Sequence, residues 1–329
     1  MTNIAILGCG AIARKMARTL RGMRDAGESV CLYAAASRDL ARAQSFAREE
    51  GFMKAYGSYE EMADDPAVDL VYVATPHSHH AQHMKLCIER GKAVLCEKSF
   101  TVNAAQAREV LELAEEKNVL VAEAIWTRYM PSRRIIDELI AAGTIGELRL
   151  ITANLHYPIE HVQRIRKPEL AGGALLDVGV YPINFCAMFF GSDVARMEST
   201  VRLMDTGVDE SENFSFYYAD GRVANMHAGV CCRSDRRCSI CGTKGYITVE
   251  NVNNPERITL YLDAENDEIA HDIEIPKQIS GYEYQVRACM KALEAGEIEC
   301  PDMPHSEIIR VMELMDALRA QWGVRYPFE

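Results

Sequence analysis

Ile4-Ala-Ile-Leu-Gly8-Cys9-Gly10-Ala11-Ile12-Ala13 is the stretch on which the reading of the fold turns. An apolar run stops at Gly8 and a helical-period segment opens at Ala11, so the two glycines occupy a strand-to-helix turn. At such a turn Gly8 permits the tight bend, and Gly10 lets an anion approach the backbone. Ala13 allows the helix to pack closely on the strand. The first helical N–H groups, those of Ala11 and Ile12 among them, and the partial positive charge of the helix end complete a pyrophosphate cradle. G-x-G-x-x-A alone is a weak signal, but here strand, helix and a second strand stand at the expected distances, which predicts a dinucleotide site.

The pattern continues outward from that turn. Strand-like runs at 4–7, 30–36, 70–74, 93–96 and 119–122 alternate with helical stretches at 11–24, 40–50, 58–64, 79–89 and 103–117. This βαβ rhythm predicts a parallel sheet over residues 1–124, an N-terminal Rossmann domain. After Trp126 the texture changes. Helices are expected at 132–142 and 175–190, and strands at 148–155, 214–218, 223–230, 246–250 and 258–262. The fold class is therefore α/β, with a C-terminal α+β domain at 125–329 built on a large, mostly antiparallel open sheet. The last helices, 282–295 and 306–322, are expected to close that second domain.

The bulk properties agree. A chain of 329 residues suits two domains, and 48% hydrophobic residues can build sizeable cores. A net charge of -12 disfavours nucleic acid and anionic membranes as partners. The N-terminus carries no basic leader, and no run of roughly 18 apolar residues is evident, so a soluble, cytoplasmic protein is expected. Eleven cysteines, mostly within apolar stretches, read as reduced thiols. Cys238 and Cys241 fall in strand-like sequence, where a spacing of three places them on opposite faces. His80 and His83 share a helical face, yet no metal is expected at either pair.

Where an NAD-selective fold carries an acid after its second strand, this chain has Ser37-Arg38, with Arg42 one turn further on. A hydroxyl and guanidinium groups suit a 2′-phosphate, so NADP(H) is favoured over NAD(H). Asp39 is better placed to cap the following helix. Two further segments bear chemistry: Ala93-Val-Leu-Cys-Glu97-Lys98, a strand ending in a charged pair, and Gly172-Gly-Ala-Leu-Leu-Asp177-Val-Gly-Val-Tyr181, where Asp177 and Tyr181 share a helical face.

With these motifs, together with Ala55-Tyr-Gly-Ser-Tyr-Glu-Glu61, Thr75-Pro-His77, Glu123-Ala-Ile-Trp-Thr-Arg128 and Gly242-Thr-Lys-Gly245, the chain resembles the Gfo/Idh/MocA family over nearly its whole length. The resemblance is to the branch of dimeric dihydrodiol dehydrogenases and NADP-dependent D-xylose 1-dehydrogenases. It implies that Lys98 touches both nicotinamide ribose and substrate, that Tyr181 gives and takes the proton, and that Glu97, Thr75, Pro76, His77 and His80 lie on the cofactor side. It also implies a homodimer through the C-terminal sheet. The family's usual Glu-Lys-Pro reads Glu-Lys-Ser99 here, which removes the proline's fixed φ.

Elementary chemistry points the same way. A carbinol gives up hydride only as a base takes its hydroxyl proton, and a phenol with an ordinary pKa of about 10 needs help to act near neutrality. A nearby Lys98 ammonium supplies that help. Asp177 would bind the substrate hydroxyl or hold Lys98. Trp126, Arg128 and Tyr129 follow the last Rossmann strand and are expected to line a cleft for a polyol, aldose or diol. The competing reading is a non-catalytic, NADP-sensing regulator on the same scaffold.

Overall fold

A computed structural model describes residues 1–264 and 267–329. In chain order its strands are β1 (Thr2–Leu7), β2 (Val30–Ala36), β3 (Lys54–Tyr56), β4 (Leu70–Val73), β5 (Ala93–Glu97), β6 (Val121–Ala124), β7 (Leu148–His156), β8 (Arg196–Leu203), β9 (Asp209–Tyr217), β10 (Val223–Gly229), β11 (Cys238–Gly242), β12 (Gly245–Glu250), β13 (Arg257–Ala264) and β14 (Asp267–Ile273). The helices are α1 (Ala11–Asp25), α2 (Leu40–Glu50), α3 (Tyr59–Asp64), α4 (His80–Ile88), α5 (Ala104–Lys117), α6 (Pro131–Ala141), α7 (Gln163–Arg166), α8 (Val180–Phe190), α9 (Glu283–Ala295) and α10 (His305–Trp322). Two compact units share them: Met1–Trp126 with Gln278–Ile309, and Thr127–Lys277 with Arg310–Glu329.

The first unit is built on a parallel sheet in the order β3-β2-β1-β4-β5-β6, the doubly wound arrangement. Both faces are covered, so β4, β5 and β6 are buried from end to end; their apolar runs are interrupted by the buried Glu97 at the end of β5 and Glu123 within β6. Helix α1 turns Ala13, Met16, Ala17, Leu20 and Met23 inward at helical spacing. Asp39 caps α2 by accepting from the amides of Ala41 and Arg42, as expected, and Gly51 closes that helix in the left-handed conformation. Because the strands are parallel, Gly8, Ser37, Thr75 and Lys98 all lie just past carboxyl ends of the sheet, and the order reverses between β1 and β4.

The second unit holds an eight-stranded sheet in the order β14-β13-β12-β11-β7-β10-β9-β8. Every neighbouring pair is antiparallel except β7 with β10. One face buries Ile151, Phe214, Phe216, Ile240 and Ile247, and the other exposes Thr152, Asn213, Asn225 and His227. Cys238 is buried and Cys241 half-buried on β11.

The structure departs from the sequence reading in four places. Segment 278–309, with α9, belongs to the first unit instead of closing the second: Arg287 pairs with Glu28 at 2.6 Å, and Ser280 bonds Thr19 at 2.7 Å. The helix expected at 175–190 begins as a π-turn, Leu175–Gly179. Pro168–Phe190 is long and apolar enough to pass for a membrane span by composition, but most of it is buried in the core. Finally, β3, β8 and β14 were not anticipated, since β3 has three residues and β8 alternates charged and apolar side chains on a half-solvated edge.

Candidate active site

The two glycines of the first turn do different work. Gly8 has φ +101°, and a Cβ there would lie 3.0 Å from the Ala74 carbonyl oxygen, so the chain's own packing demands glycine. Gly10 has φ -95° and ψ -170°, open to any residue, and a Cβ there would meet no atom within 4 Å. No side chain caps the N-terminus of α1, and its first turn carries no acid. A backbone bared at Gly10 beside uncapped N–H groups fits a pyrophosphate.

Around that loop, Ser37 is buried and Arg38 exposed. The Arg42 guanidinium donates to the Cys9 carbonyl at 3.0 Å, so it braces the glycine loop. Burial, with smaller contributions from His79, His80 and Arg38, pushes His83 down to about 4. His83 is therefore neutral, with Nδ1 3.0 Å from the Thr75 hydroxyl.

His80 is fully buried. Its Nδ1 lies 2.9 Å from the Ser99 carbonyl and its Nε2 2.8 Å from the Thr75 carbonyl. The ring thus ties the loop after β4 to the loop after β5. His77 packs edge-on against it, with centroids 5.7 Å apart. Glu97, buried at the end of β5, accepts from the Tyr72 hydroxyl. Lys98 is half-buried, and the Lys98–Ser99 peptide is cis. Glu123, which the sequence reading quoted only within a motif, accepts from the Phe100 amide at 3.0 Å and so fixes the segment that follows Lys98. Trp126 stacks on Tyr282, with centroids 4.2 Å apart, which occupies one face of its ring.

In the second unit, Asp177 sits in the π-turn, only 5% exposed, and Tyr181 begins α8 one turn later. Such turns recur at functional positions. The Arg164 guanidinium grips Asp177 with both arms, Nη1 to Oδ1 at 3.0 Å and Nη2 to Oδ2 at 3.2 Å. Arg164 comes from α7, in the stretch 156–167 that the sequence suggests only as a loop with pocket residues, without singling out Arg164. Its signal was Gly172: a Cβ there would lie 2.3 Å from the Ile165 carbonyl oxygen and 2.8 Å from that of Arg164.

The motif's other glycines have similar causes. A Cβ on Gly173 would run into Asp209 Oδ1, and one on Gly179 into Glu212 Oε1. Both carboxyls come from β9 and are fully buried, and neither Glu212 oxygen has a hydrogen-bond partner. Burial, then the neighbouring Asp209, raises Glu212 well above the carboxylate range, so it stays protonated. Arg128, expected at the substrate, is buried and donates from Nε to Asn184 Oδ1 at 2.6 Å, and Asn184 in turn donates to the Val180 carbonyl. Arg128 thereby braces the helix that carries Tyr181.

Comparison with known proteins adds the following. Residues 2–125 match the family described as "Oxidoreductase family, NAD-binding Rossmann fold", and residues 134–248 match the "GFO/IDH/MocA C-terminal domain". The chain is 33% identical to the mouse trans-1,2-dihydrobenzene-1,2-diol dehydrogenase over 98% of its own length and 97% of the relative's. It is 34% identical to the human enzyme of that name over 89% of each. Among solved structures, a 3-ketoreductase from Actinomadura kijaniata in complex with NADP and TDP-benzene superposes with a TM-score of 0.85 at 26% identity over 97% of both chains.

Proposed function

Because the chain belongs to the Gfo/Idh/MocA family of oxidoreductases, we propose that it moves hydride between NADP and a carbinol or carbonyl carbon of a sugar or cyclic diol, with Lys98, Asp177 and Tyr181 as its catalytic groups. The observation that carries this reading is the bared backbone at Gly10 beside the uncapped start of α1. Gly8, Gly10, Ala11 and Ile12 would hold the pyrophosphate, Ser37 and Arg38 the 2′-phosphate, and Thr75, Pro76, His77, Glu97 and Lys98 the nicotinamide end. The absence of an acid at Ser37-Arg38 supports NADP over NAD.

When bound, the nicotinamide supplies or takes up the hydride. The chain's own residues handle the proton and the geometry. Tyr181 takes the hydroxyl proton in oxidation and returns it in reduction. The Lys98 ammonium favours the phenolate and orients the substrate oxygen. Asp177, clamped by Arg164, offers a fixed acceptor to a substrate hydroxyl. Trp126 contributes its indole ring to the substrate site. Eleven free thiols suit a reducing cytoplasm. A homodimer through the sheet of the second unit completes the reading, and a monomer mass in sedimentation would remove that part.

The test is NADPH absorbance over a panel of pentoses, hexoses and dihydrodiols. Lys98→Met and Tyr181→Phe should each lower kcat by roughly 10²-fold or more, the scale of proton-transfer catalysis. Wild-type turnover in both variants would refute the catalytic assignment. Tight cofactor binding without turnover of any substrate would indicate a sensor instead of an enzyme.

A further inference from the structure

We propose that Asp209 is a positioning residue for hydride transfer: its carboxyl group holds the turn that carries Asp177 and leads into Tyr181. The inference rests on the reading of those two residues as catalytic, and it lies wholly within the second unit.

The turn needs an anchor that its own sequence does not supply. The first N–H groups of a helical segment have no partner within it. Gly172-Gly-Ala174, which leads into the π-turn Leu175–Gly179, contains no Ser, Thr, Asp or Asn to accept from them. Asp209 fills that role from β9, for the Leu175 amide donates to its Oδ2 at 2.5 Å. The bonded amide stands two residues before Asp177. Gly173, at φ +110°, makes room for the carboxyl group, since a Cβ there would run into Oδ1. Burial raises the Asp209 carboxyl above its ordinary range, and the amides of Leu175, of Asp209 itself and of Ala174 act against burial, so backbone N–H groups at the start of the turn favour its charge.

A β-bulge aims the side chain. Strict alternation along β9 would send Asp209 and Glu212 to opposite faces of the sheet. Instead, Arg202 of β8 pairs with Ser211 and the next residue, Leu203, pairs with Asp209, so Glu210 is an extra residue in β9. Asp209 and Glu212 are thereby both buried, against Gly173 and Gly179, and Glu210 pairs with Arg202 at 2.6 Å. Bulges that re-aim a side chain recur beside active sites.

The same backbone is tied to the source of the Asp177 clamp. The Gly173 amide donates to the Ile165 carbonyl at 2.8 Å, and Ile165 follows Arg164 in α7. Asp209 fixes the backbone of the turn and Arg164 fixes the Asp177 carboxylate. Both therefore act on one quantity, the place of Asp177.

The experiment compares Asp209→Ala, Asp209→Val and Asp209→Asn in the full chain by kcat, KM, NADPH affinity and melting temperature. Ala and Val remove the acceptor, and Val suits a strand and keeps more of the volume, so the test does not depend on Asp209→Ala folding. A misplacement of ~1 Å costs about a hundredfold, so both should lower kcat by about 10- to 100-fold with NADPH affinity unchanged. Asp209→Asn keeps an acceptor and should restore kcat to within about threefold of wild type. Asp209→Val combined with Arg164→Met should lose less than the product of the single losses, because the two act on a shared partner. Hydrogen exchange, which needs no substrate, should speed up at amides 174–177 in Asp209→Val and not in α1. The proposal is overturned by wild-type kcat in folded Asp209→Ala or Asp209→Val, by Asp209→Asn as impaired as either, by losses that multiply in the double variant, or by unchanged exchange. Tyr181→Phe, assayed alongside, separates the two claims: a loss there with none in the Asp209 variants removes Asp209 alone, and wild-type turnover throughout removes the catalytic reading as well.

Discussion

Replacing Gly10 by alanine separates cofactor binding from folding, and the structure allows both effects to be sized. Gly10 already has backbone angles that alanine adopts, and its added methyl would meet no atom of the chain within 4 Å. Alanine also restricts the unfolded chain, so Gly10→Ala should be neutral or stabilising by ~0.4–1 kcal/mol. The same methyl projects where a pyrophosphate must reach the N–H groups of α1. Loss of one hydrogen bond to a charged oxygen is worth ~1.5–3 kcal/mol, and about 1.4 kcal/mol is tenfold in affinity, so NADPH should bind about ten- to a hundredfold more weakly. Gly8→Ala is the contrasting case. Its φ of +101° and the 3.0 Å approach to the Ala74 carbonyl oxygen should lower stability by ~2 kcal/mol, or roughly 4–8 °C in Tm. Thermal denaturation without nucleotide, paired with a fluorescence titration of NADPH, reads both quantities. Wild-type NADPH affinity in Gly10→Ala would refute the reasoning, and so would a lowered Tm.

Arg38→Asp should weaken NADPH far more than NADH in the same titration, and equal losses would remove Arg38 from the 2′-phosphate. Arg164→Met deprives buried Asp177 of its guanidinium. Because the Arg164 side chain is 44% exposed, a loss of ~1–2 kcal/mol is expected, read as about a tenfold fall in kcat with NADPH affinity unchanged. An unaltered kcat would show that the clamp does not serve catalysis. Glu212 has its folded pKa raised above the ordinary 4.5, so its contribution to stability is complete below that value and declines as pH rises toward the folded pKa. Glu212→Gln should therefore stabilise the protein at pH 8, with little difference near pH 4.5. His83, depressed to about 4, acts in the opposite direction below pH 6.5, and it cancels when the two proteins are compared. Urea midpoints that shift equally at both pH values would refute the account of Glu212.

The features that could be read from sequence are those with local causes. Asp39 marks the start of α2 because its carboxylate finds amides two and three residues on. The strands of the first sheet stand out because burial on both faces demands continuous apolar runs. What escaped reading depends on partners distant in the chain. Arg164 meets Asp177 across a segment without periodicity, and the carboxyls beneath Gly173 and Gly179 come from β9. Strand β8 was hidden because its half-solvated face breaks the apolar pattern. Nothing in the neighbours of His80 reveals that two backbone carbonyls enclose its ring. The glycines of the second motif were visible, but only coordinates show that they make room for Ile165, Asp209 and Glu212.

The path of the chain through the two units also has a consequence for how the protein is made. The first unit needs residues 278–309, which bring the Ile298 carbonyl to the Val121 amide at 3.0 Å and the His305 ring to the Val121 carbonyl at 2.8 Å. Since β6 is the last strand of its sheet, these bonds shield an edge that would otherwise stand open. A fragment ending at residue 126 would carry every glycine of the nucleotide loop and still leave that margin bare. On the ribosome, the nucleotide-binding half starts first and finishes only after residue 309 has emerged.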